Sequence, residues 1–301
     1  MSMRVQTKRT IGFSVSGLKH YENAYYQNKR PSFAALSVTG ARCGLNCAHC
    51  NGILLQNMLH TETAEKFISC VDKISNSGCK GILVSGGCGP AGSVPVLPCI
   101  DGIVYAKKKG LKVVVHTGLV DRETALLLKA SNVDRVLMDV IGSEKTIRGV
   151  YGIDKSPEDF FNSMLYCKEA GLEIAPHLVV GLDFGMVEGE FNAIDMVRDC
   201  GADSFILVVL TPKRGTKMQD AAIPRLNEVV KVFSYAVENI RGAHINLGCA
   251  RPIIYSAALE KAAIDLGFTV VAYPHEETIE YAKLLGIDTF FFEECCCLSK
   301  N

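Results

Sequence analysis

Short runs of β-branched and other apolar residues alternate with amphipathic stretches along almost the whole chain, and this alternation constrains the fold more than any other feature. The runs occupy residues 32–38, 81–87, 112–118, 135–142, 173–181, 204–212, 244–250 and 268–274. Helical periodicity fills the intervals, for example at 63–75, 122–130 and 226–240. Strands that alternate with helices form a parallel sheet through right-handed crossovers. The pattern predicts an α/β fold, a (βα)8 barrel of the TIM type, with a partial (βα)6 barrel as the alternative.

The length of the chain fits one such barrel with short extensions. The chain has 301 residues, and a closed α/β barrel of ~250 residues forms a single domain. We expect an N-terminal extension over 1–31 that caps the bottom or side of the barrel, the barrel itself over 32–274, and a C-terminal extension over 275–301. This last segment begins with a predicted helix at 275–286, followed by the apolar strand IDTFFFE and the tail EECCCLSKN.

Three closely spaced cysteines follow the first of these runs. Cys43, Cys47 and Cys50 lie in ARCGLNCAHC, directly after a predicted strand and its turn. Loops at the C-terminal ends of barrel strands are where barrel enzymes place their reactive groups. Three thiolates in the spacing C-x3-C-x2-C can bind a [4Fe–4S] cluster and leave one iron open. An open iron can chelate an amine and a carboxylate, and S-adenosylmethionine (SAM) offers both. The motif is similar to that of the radical SAM superfamily.

Other uses of the cysteines fit the sequence less well. Zinc sites normally use two separated cysteine pairs, and here a fourth ligand would have to come from far along the chain. A disulfide framework is disfavoured because thirteen cysteines is an odd number and no secretory signal is recognisable. Thiols in this number are typical of a reducing compartment, so we expect a cytoplasmic location.

Composition argues against two classes of partner. Lys plus Arg equals Asp plus Glu at 32 each, and tryptophan is absent. A neutral chain without a basic block is not expected to bind nucleic acid, since neutralisation of phosphates supplies most of that affinity. No apolar run reaches the ~18 residues of a membrane span, so no membrane association is predicted either.

The end of the run at 81–87 carries the first candidates for binding SAM. Ser85, Gly86 and Gly87 end this run, and two glycines let a ligand approach the backbone closely. In radical SAM enzymes this position receives the methionine amine. Cys88 stands where the superfamily usually has an acidic residue, which leaves open whether it is itself a cluster ligand. A tight turn with a buried cysteine is the alternative interpretation.

Further candidates end the next predicted strands. By its position Asp139 could bind the ribose hydroxyls or the ammonium of SAM, with a helix cap as the alternative. His177 lies on the following strand, and Gly181 would allow main-chain contacts to adenine, as the matching strand does in the superfamily. Pro212 belongs to a loop similar to one that shapes the cofactor pocket there. His116 is a pocket-lining candidate, although a histidine is as often merely hydrogen-bonded.

The remaining cysteines near strand ends predict a second cluster. Cys249 ends the run at 244–250, and Cys295, Cys296 and Cys297 follow a strand that could return them to the barrel mouth. Adjacent cysteines can bind one polymetallic cluster through different irons. We therefore expect an auxiliary iron–sulfur cluster. A cysteine tail without fixed structure, or a simple metal scavenger, is the alternative.

Three segments extend the resemblance to a narrower family. SVTGARCGLNCAHCNGILLQNM, GGCGPAGSVPV and LGCARP, together with the terminal cysteines, resemble the biotin-synthase-like radical SAM proteins, which include the two-protein lipoyl synthases of archaea and some bacteria. The C-x4-C-x5-C motif of single-chain lipoyl synthases is not found. By the same resemblance Arg251 could be an unusual ligand of the auxiliary cluster or a carboxylate anchor, with a surface salt bridge as the alternative.

This resemblance implies a reaction and its partners. The implied enzyme cleaves SAM to a 5′-deoxyadenosyl radical and inserts sulfur into an octanoyl chain, as a lipoyl synthase does. It also implies an octanoylated carrier protein, a second radical SAM subunit and an electron donor such as ferredoxin. Two alternatives stay open: a radical SAM enzyme of another chemistry, such as methylation or carbon–carbon bond formation, and an iron–sulfur carrier without catalysis.

Overall fold

The computed structural model describes residues 9–298. The strands are β1 (Thr10–Ser14), β2 (Phe33–Ser37), β3 (Leu59–His60), β4 (Gly81–Ser85), β5 (Lys112–His116), β6 (Arg135–Asp139), β7 (Ile174–Val180), β8 (Ser204–Val209), β9 (His244–Leu247), β10 (Val270–Ala272) and β11 (Asp288–Phe292). The helices are α1 (Ala64–Asn76), α2 (Ile100–Lys108), α3 (Arg122–Ala130), α4 (Glu144–Thr146, continued by a π-helical turn over Ile147–Tyr151), α5 (Pro157–Glu169), α6 (Glu190–Cys200), α7 (Leu226–Asn239), α8 (Ser256–Leu266) and α9 (Glu276–Leu284).

All of these strands belong to one parallel sheet. Its order is β11-β1-β10-β9-β8-β7-β6-β5-β4-β2-β3, so the eight strands predicted from the sequence follow one another from β2 to β10. The sheet curls around an interior of its own side chains, because Phe33 of β2, Leu137 of β6 and Val270 of β10 share one buried cluster. The predicted TIM-type α/β barrel fold is therefore confirmed. Within residues 9–298, β10 pairs with β1 and not with β2, so the eight strands alone do not close a ring.

The N-terminal segment differs from the expected cap. Residues 10–14 form β1, which pairs in parallel with β10 on one side and with β11 on the other. Ile11 and Phe13 are fully buried. Gly12 gives room to aromatic rings of β11, because a Cβ at this position would lie 3.0 Å from Phe290 and from Phe292. The short mixed sequence TIGFS carries little strand signal by itself, and its partners lie more than 250 residues away.

The βαβ order places all strand C-termini and helix N-termini at one end of the barrel, here called the mouth. Polar caps mark several helix starts there: the Thr63 side chain accepts from the backbone of Lys66 before α1, and Asp121 accepts from Thr124 before α3. The outward faces of the strands pack against the helices, with Ile82, Phe67 and other side chains fully buried. This packing leaves the loops after the strands free to form a site at the mouth.

Candidate functional site

The cysteine loop after β2 is held against three neighbouring loops at the mouth. The backbone N–H of Gly44 donates to Cys88 O (2.8 Å), and that of Ala48 donates to Val150 O (2.7 Å). The Met218 N–H donates in turn to Ala48 O (3.2 Å). The loops that follow β4, β6 and β8 therefore fix the loop that carries Cys43, Cys47 and Cys50.

The thiols of this loop differ in their tendency to ionise. A hydrogen bond from the Cys47 thiol lowers the pKa of Cys50 to about 4, and His49 adds to this effect against the opposing influence of burial. The same hydrogen bond, together with burial, raises the pKa of Cys47. The thiolate is the form that binds iron. One ring nitrogen of His49, Nδ1, is buried without a hydrogen-bond partner. Proximity of the thiols and an available thiolate fit an iron–sulfur cluster on this loop.

The two glycines at the end of β4 have a steric role in this arrangement. A Cβ on Gly87 would lie 2.1 Å from the carbonyl oxygen of Arg42 and 2.5 Å from Cα of Cys43. The Gly87 N–H donates to Oγ1 of Thr39 (2.7 Å). Glycine is thus needed at Gly87 for the cysteine loop to pack on the strand end, in addition to the close ligand approach expected from the sequence. At Gly86 the nearest atoms would lie 3.1 Å from a Cβ.

Residues of β4 and β5 continue this edge of the site. Ser85 Oγ donates to the backbone oxygen of His116 (3.2 Å). Cys88 lies close enough to Cys43, Asp139 and Cys50 to interact electrostatically with them. Burial, followed by electrostatic interaction with these neighbours, raises the pKa of Cys88 to about 12. The structure therefore places a protonated thiol beside the cysteine loop.

Asp139, His177 and His116 come together with a tyrosine in a polar layer inside the mouth. Asp139 and His177 are paired in register on β6 and β7. The Tyr151 hydroxyl donates to Asp139 Oδ2 (2.7 Å), and His116 Nε2 lies 3.7 Å from Asp139 Oδ1. The rings of His116 and His177 meet edge to face with centroids 5.7 Å apart. No sequence signal pointed to Tyr151, because it lies in a π-helical turn without strand or motif character.

Charge in this polar layer is unevenly distributed. Burial opposes ionisation of Asp139, but His116 and the Tyr151 hydroxyl outweigh it and lower its pKa. Burial, with a contribution from His116, lowers the pKa of His177 to about 4. At neutral pH the layer therefore contains a carboxylate beside a neutral imidazole, an arrangement suited to binding an ammonium group or sugar hydroxyls.

Gly181 lies at the end of β7 in a left-handed conformation, with φ of 80°. A Cβ there would lie 2.1 Å from Cγ of Pro224, so only glycine fits. Its N–H donates to Oε1 of Glu190 (2.7 Å), while Oε2 of this buried carboxyl has no partner. Burial raises the pKa of Glu190. Sequence reasoning missed this residue, and Pro212, which it proposed, is half-buried just after β8.

The tail cysteines lie inside the barrel. Cys296 is 9% exposed and Cys297 is fully buried, and both pack with Val208, Val270 and other inward-facing residues. Thiol hydrogen bonds from Cys296 and Cys297 to Cys295 lower the pKa of Cys295. The expectation that the terminal strand returns these residues to the barrel mouth is met only in part, because they enter the barrel but Cys297 lies beside Arg135 at the start of β6, below the mouth.

Polar side chains of the barrel fix the backbone of this tail. Asn246 Nδ2 donates to Cys296 O (2.9 Å), and its Oδ1 is buried without a partner. Arg135 Nη1 donates to Cys297 O and to Oγ of Ser204. Ser14 Oγ donates to the carbonyl oxygen of Glu294 (2.8 Å). Strands β1, β6 and β9 therefore all contribute to holding the segment 294–298 in the interior.

Cys249 and Arg251 lie on the turn after β9, and the structure places them differently. The Cys249 side chain is exposed. The hydrogen bond to Cys295 and burial raise the pKa of the Cys296 thiol, and Cys249 lies close enough to add a smaller contribution. Arg251 is buried and pairs with Glu260 through Nε (3.0 Å) and Nη2 (2.6 Å). It also donates to Gly248 O and Tyr273 O, both at 2.9 Å. The pair is thus buried and not the surface salt bridge considered above, while cluster ligation by Arg251 stays a prediction.

Two further observations concern metals and membranes. Within residues 9–298, no group of three or more His, Cys, Asp or Glu side chains converges on the position of one metal ion. A four-iron cluster binds each thiolate through a different iron and does not require such convergence. In the same part of the chain, no helix combines the length and apolar character needed to cross a membrane.

Comparison with known proteins places these features in context. No protein-family model matches the chain. Biotin synthase of Lysinibacillus sphaericus (strain C3-41) is 26% identical over 252 residues, which cover 77% of this chain and 74% of that protein. Methylornithine synthase (PylB) superposes with a TM-score of 0.59 at 12% identity, covering 94% of this chain and 84% of that one. The FeFe-hydrogenase maturase HydG from Carboxydothermus hydrogenoformans gives 0.60 at 15% identity, covering 96% and 70%.

Proposed function

We propose that this protein inserts sulfur into an unactivated carbon, as a lipoyl synthase does on a protein-bound octanoyl chain. The proposal rests on the resemblance to biotin-synthase-like radical SAM proteins, which the similarity to biotin synthase supports. Cys43, Cys47 and Cys50 would hold a [4Fe–4S] cluster. When bound and reduced, this cluster supplies the electron that cleaves SAM to methionine and a 5′-deoxyadenosyl radical. Cys249 and the tail cysteines Cys295–Cys297 would hold an auxiliary cluster that supplies the sulfur.

The observation that carries this proposal is the position of the tail. Three polar contacts hold a cysteine-rich terminus inside the barrel, and its residues pack with side chains of β8 and β10. The cysteine loop instead lies on the β2 and β4 side of the mouth. Two cysteine groups on different sides of one interior suit a reaction in which a radical forms at one side and sulfur is delivered from the other.

The residues between the two groups would orient the reactants. The Asp139 carboxylate would bind the ammonium or ribose hydroxyls of SAM, and the turn at Gly181 would face the adenine. Ser85, Gly86, His177 and Pro212 complete this proposed pocket. A primary alkyl radical attacks whatever lies nearest, so the chain's contribution is to fix distances and exclude water.

The apolar part of the interior fits an alkyl substrate. Val179, Val208 and Ala272 are apolar or small and belong to the same buried cluster as Cys295 and Cys296. A saturated chain lying against them would have its carbons next to the tail cysteines. We further propose a cytoplasmic enzyme that receives the octanoyl chain on the lysine of a carrier protein, draws electrons from a donor such as ferredoxin, and shares the two insertions with a second radical SAM subunit.

Counting iron and sulfide after anaerobic reconstitution tests the two-cluster arrangement. The variant Cys43→Ala/Cys47→Ala/Cys50→Ala is expected to keep about four irons on the auxiliary site. Further replacement of Cys249, Cys295, Cys296 and Cys297 by Ala should remove them. The matched control is Cys70→Ala/Cys200→Ala, since both thiols pack among helices away from the mouth, and it should retain the iron content of the wild type.

A radical SAM enzyme of another chemistry is the second candidate. His116 and His177 give the mouth a polar character that a purely alkyl substrate does not use. An iron-free triple variant would favour this candidate, because reactions such as methylation or carbon–carbon bond formation need no sacrificial cluster. Formation of 5′-deoxyadenosine by the wild type would at the same time exclude an iron–sulfur carrier without catalysis.

A further inference from the structure

The loop after β8 is the most basic segment of the mouth. Residues 211–225 carry four cationic side chains, Lys213, Arg214, Lys217 and Arg225, against the single carboxylate of Asp220. Among residues 9–298, no ion pair joins any of the four cations to a carboxylate. In a chain of zero formal net charge, this loop is a local excess of positive charge that faces solvent.

Exposed isoleucines adjoin this loop. Ile253 and Ile254, on the turn after β9, are 88% and 80% exposed. The hydroxyl of the next residue, Tyr255, donates to Pro224 O (2.7 Å), which brings this turn against the basic loop beside the exposed Ile223. We call these three isoleucines and the four cations the mouth surface. Exposing large apolar side chains together costs solubility, and such patches mark interaction sites.

The mouth surface is anchored to the cysteine loop. Asn51 Nδ2 donates to Gly215 O (3.4 Å), and the Met218 N–H donates to Ala48 O (3.2 Å). Thr216 and Met218 are buried, so the loop packs against the rest of the mouth. A partner bound on the mouth surface would therefore stand directly beside the reaction site.

We propose that the mouth surface docks an acidic protein domain, which presents its acylated lysine to the barrel; this inference rests on the proposed function. Carboxylates of the partner would pair with the four cations, and its apolar residues would cover Ile253 and Ile254. Charge complementarity speeds encounter and sets orientation, while central apolar residues supply most of the affinity. A nucleic acid fits less well, because single strands bind through stacking on aromatic rings and the mouth surface has none.

Binding of an octanoylated lipoyl-carrier domain tests this proposal. The variants Ile253→Asp/Ile254→Asp and Lys217→Glu/Arg225→Glu remove the apolar and the cationic contribution separately. The matched controls are Leu284→Asp, an equally exposed leucine (85%) at the C-terminus of α9, and Lys80→Glu/Lys108→Glu, two exposed lysines at the end of the barrel opposite the mouth. Circular dichroism and reconstituted iron content check that each variant folds.

Each mouth variant should weaken Kd by about tenfold or more, the effect expected of a central interface residue, and the controls should stay within about twofold. The charge variant should also reduce the dependence of Kd on salt. Wild-type affinity in both mouth variants would overturn the proposal. Equal or tighter binding of random-sequence RNA, with the same loss in the variants, would also overturn it.

The carrier with its acceptor lysine changed to arginine separates docking from catalysis. This domain cannot carry an octanoyl chain, so its binding depends on the protein surfaces alone. If it binds wild type and loses affinity for the mouth variants while no sulfur insertion is found on the octanoylated form, docking stands and the proposed reaction fails. If sulfur is inserted but the mouth variants bind like wild type, the reaction stands and the docking site lies elsewhere.

Discussion

Replacement of Glu260 by alanine should destabilise the protein more than almost any other single change outside the apolar core. The Glu260 carboxylate is fully buried and accepts hydrogen bonds from Arg251 (2.6 and 3.0 Å), Ser256 (3.0 Å), His275 (2.7 and 2.8 Å) and Thr278 (2.6 Å). The variant Glu260→Ala leaves Arg251, whose side chain is 5% exposed, without its counter-charge. Breaking a buried ion pair from one side costs about 3–5 kcal/mol.

Urea unfolding of the apo protein, followed by circular dichroism, measures this loss. With a denaturant slope of about 3 kcal/mol per M, the midpoint should fall by roughly 1–2 M. The matched control is Glu277→Ala, which removes the exposed ion pair with Lys261 on the surface near the same helices and should cost less than about 1 kcal/mol. A loss below about 1 kcal/mol for Glu260→Ala would refute the reasoning, since it would mean that Arg251 finds water or another partner.

The pH dependence gives a second check on the same pair. Burial disfavours the charged form of Glu260, but Arg251 and the hydrogen bonds from Thr278 and His275 outweigh it, so the pKa lies below the ordinary value of 4.5. A lowered folded pKa means that the stability contributed by the ionised carboxylate is present above pH 4.5 and is lost as the pH falls through the folded pKa. The difference between wild type and Glu260→Ala should therefore shrink on acidification below that value. A difference that is constant from neutral to acidic pH would contradict the ionised pair.

Three further predictions concern the mouth and the tail. Gly87→Ala should lower the iron content of the cysteine loop and reduce the free energy of unfolding by about 1–3 kcal/mol. The reason is that the new Cβ would lie 2.1 Å from a backbone oxygen. Gly89→Ala should be tolerated, because the atom nearest to its Cβ is 3.8 Å away. Asn246→Leu should make the tail thiols of the apo protein react faster with a thiol reagent, by about tenfold, since it leaves the buried carbonyl of Cys296 without its partner, which costs about 1–3 kcal/mol. Tyr151→Phe should weaken SAM binding by about tenfold, because Asp139 loses a charge-assisted hydrogen bond of about 1.5–3 kcal/mol.

Each of these predictions has an outcome that would contradict it. Equal iron content in Gly87→Ala and Gly89→Ala would show that the cysteine loop can shift without losing its cluster. Unchanged thiol reactivity in Asn246→Leu would mean that apolar packing alone holds the tail. Unaltered SAM affinity in Tyr151→Phe, measured at wild-type iron content, would separate Asp139 from the cofactor.

Part of this architecture could be predicted because its signals are local. The eight barrel strands and the helices between them follow from apolar periodicity, which is a property of neighbouring residues. The spacing of Cys43, Cys47 and Cys50 likewise predicts a cluster site from a stretch of only eight residues. Asp139 is predictable from its position at a strand end and His177 from its place on the next strand, since neighbouring parallel strands bring such residues side by side.

The rest depended on contacts between residues far apart in the chain. Residues 10–14 are a strand only because they find edges at 270–272 and 288–292. Arg251 is a buried anchor only because α8 brings Glu260 beneath it, and nothing in GCARP distinguishes an anchor from a cluster ligand. The barrel and the position of the cysteine loop could therefore be predicted from the sequence, because the signals for both are short-range. The choice between a tail inside the barrel and a tail without fixed structure depends on tertiary contacts, because the hydrogen bonds that hold the terminal cysteines come from strands 50 to 280 residues away.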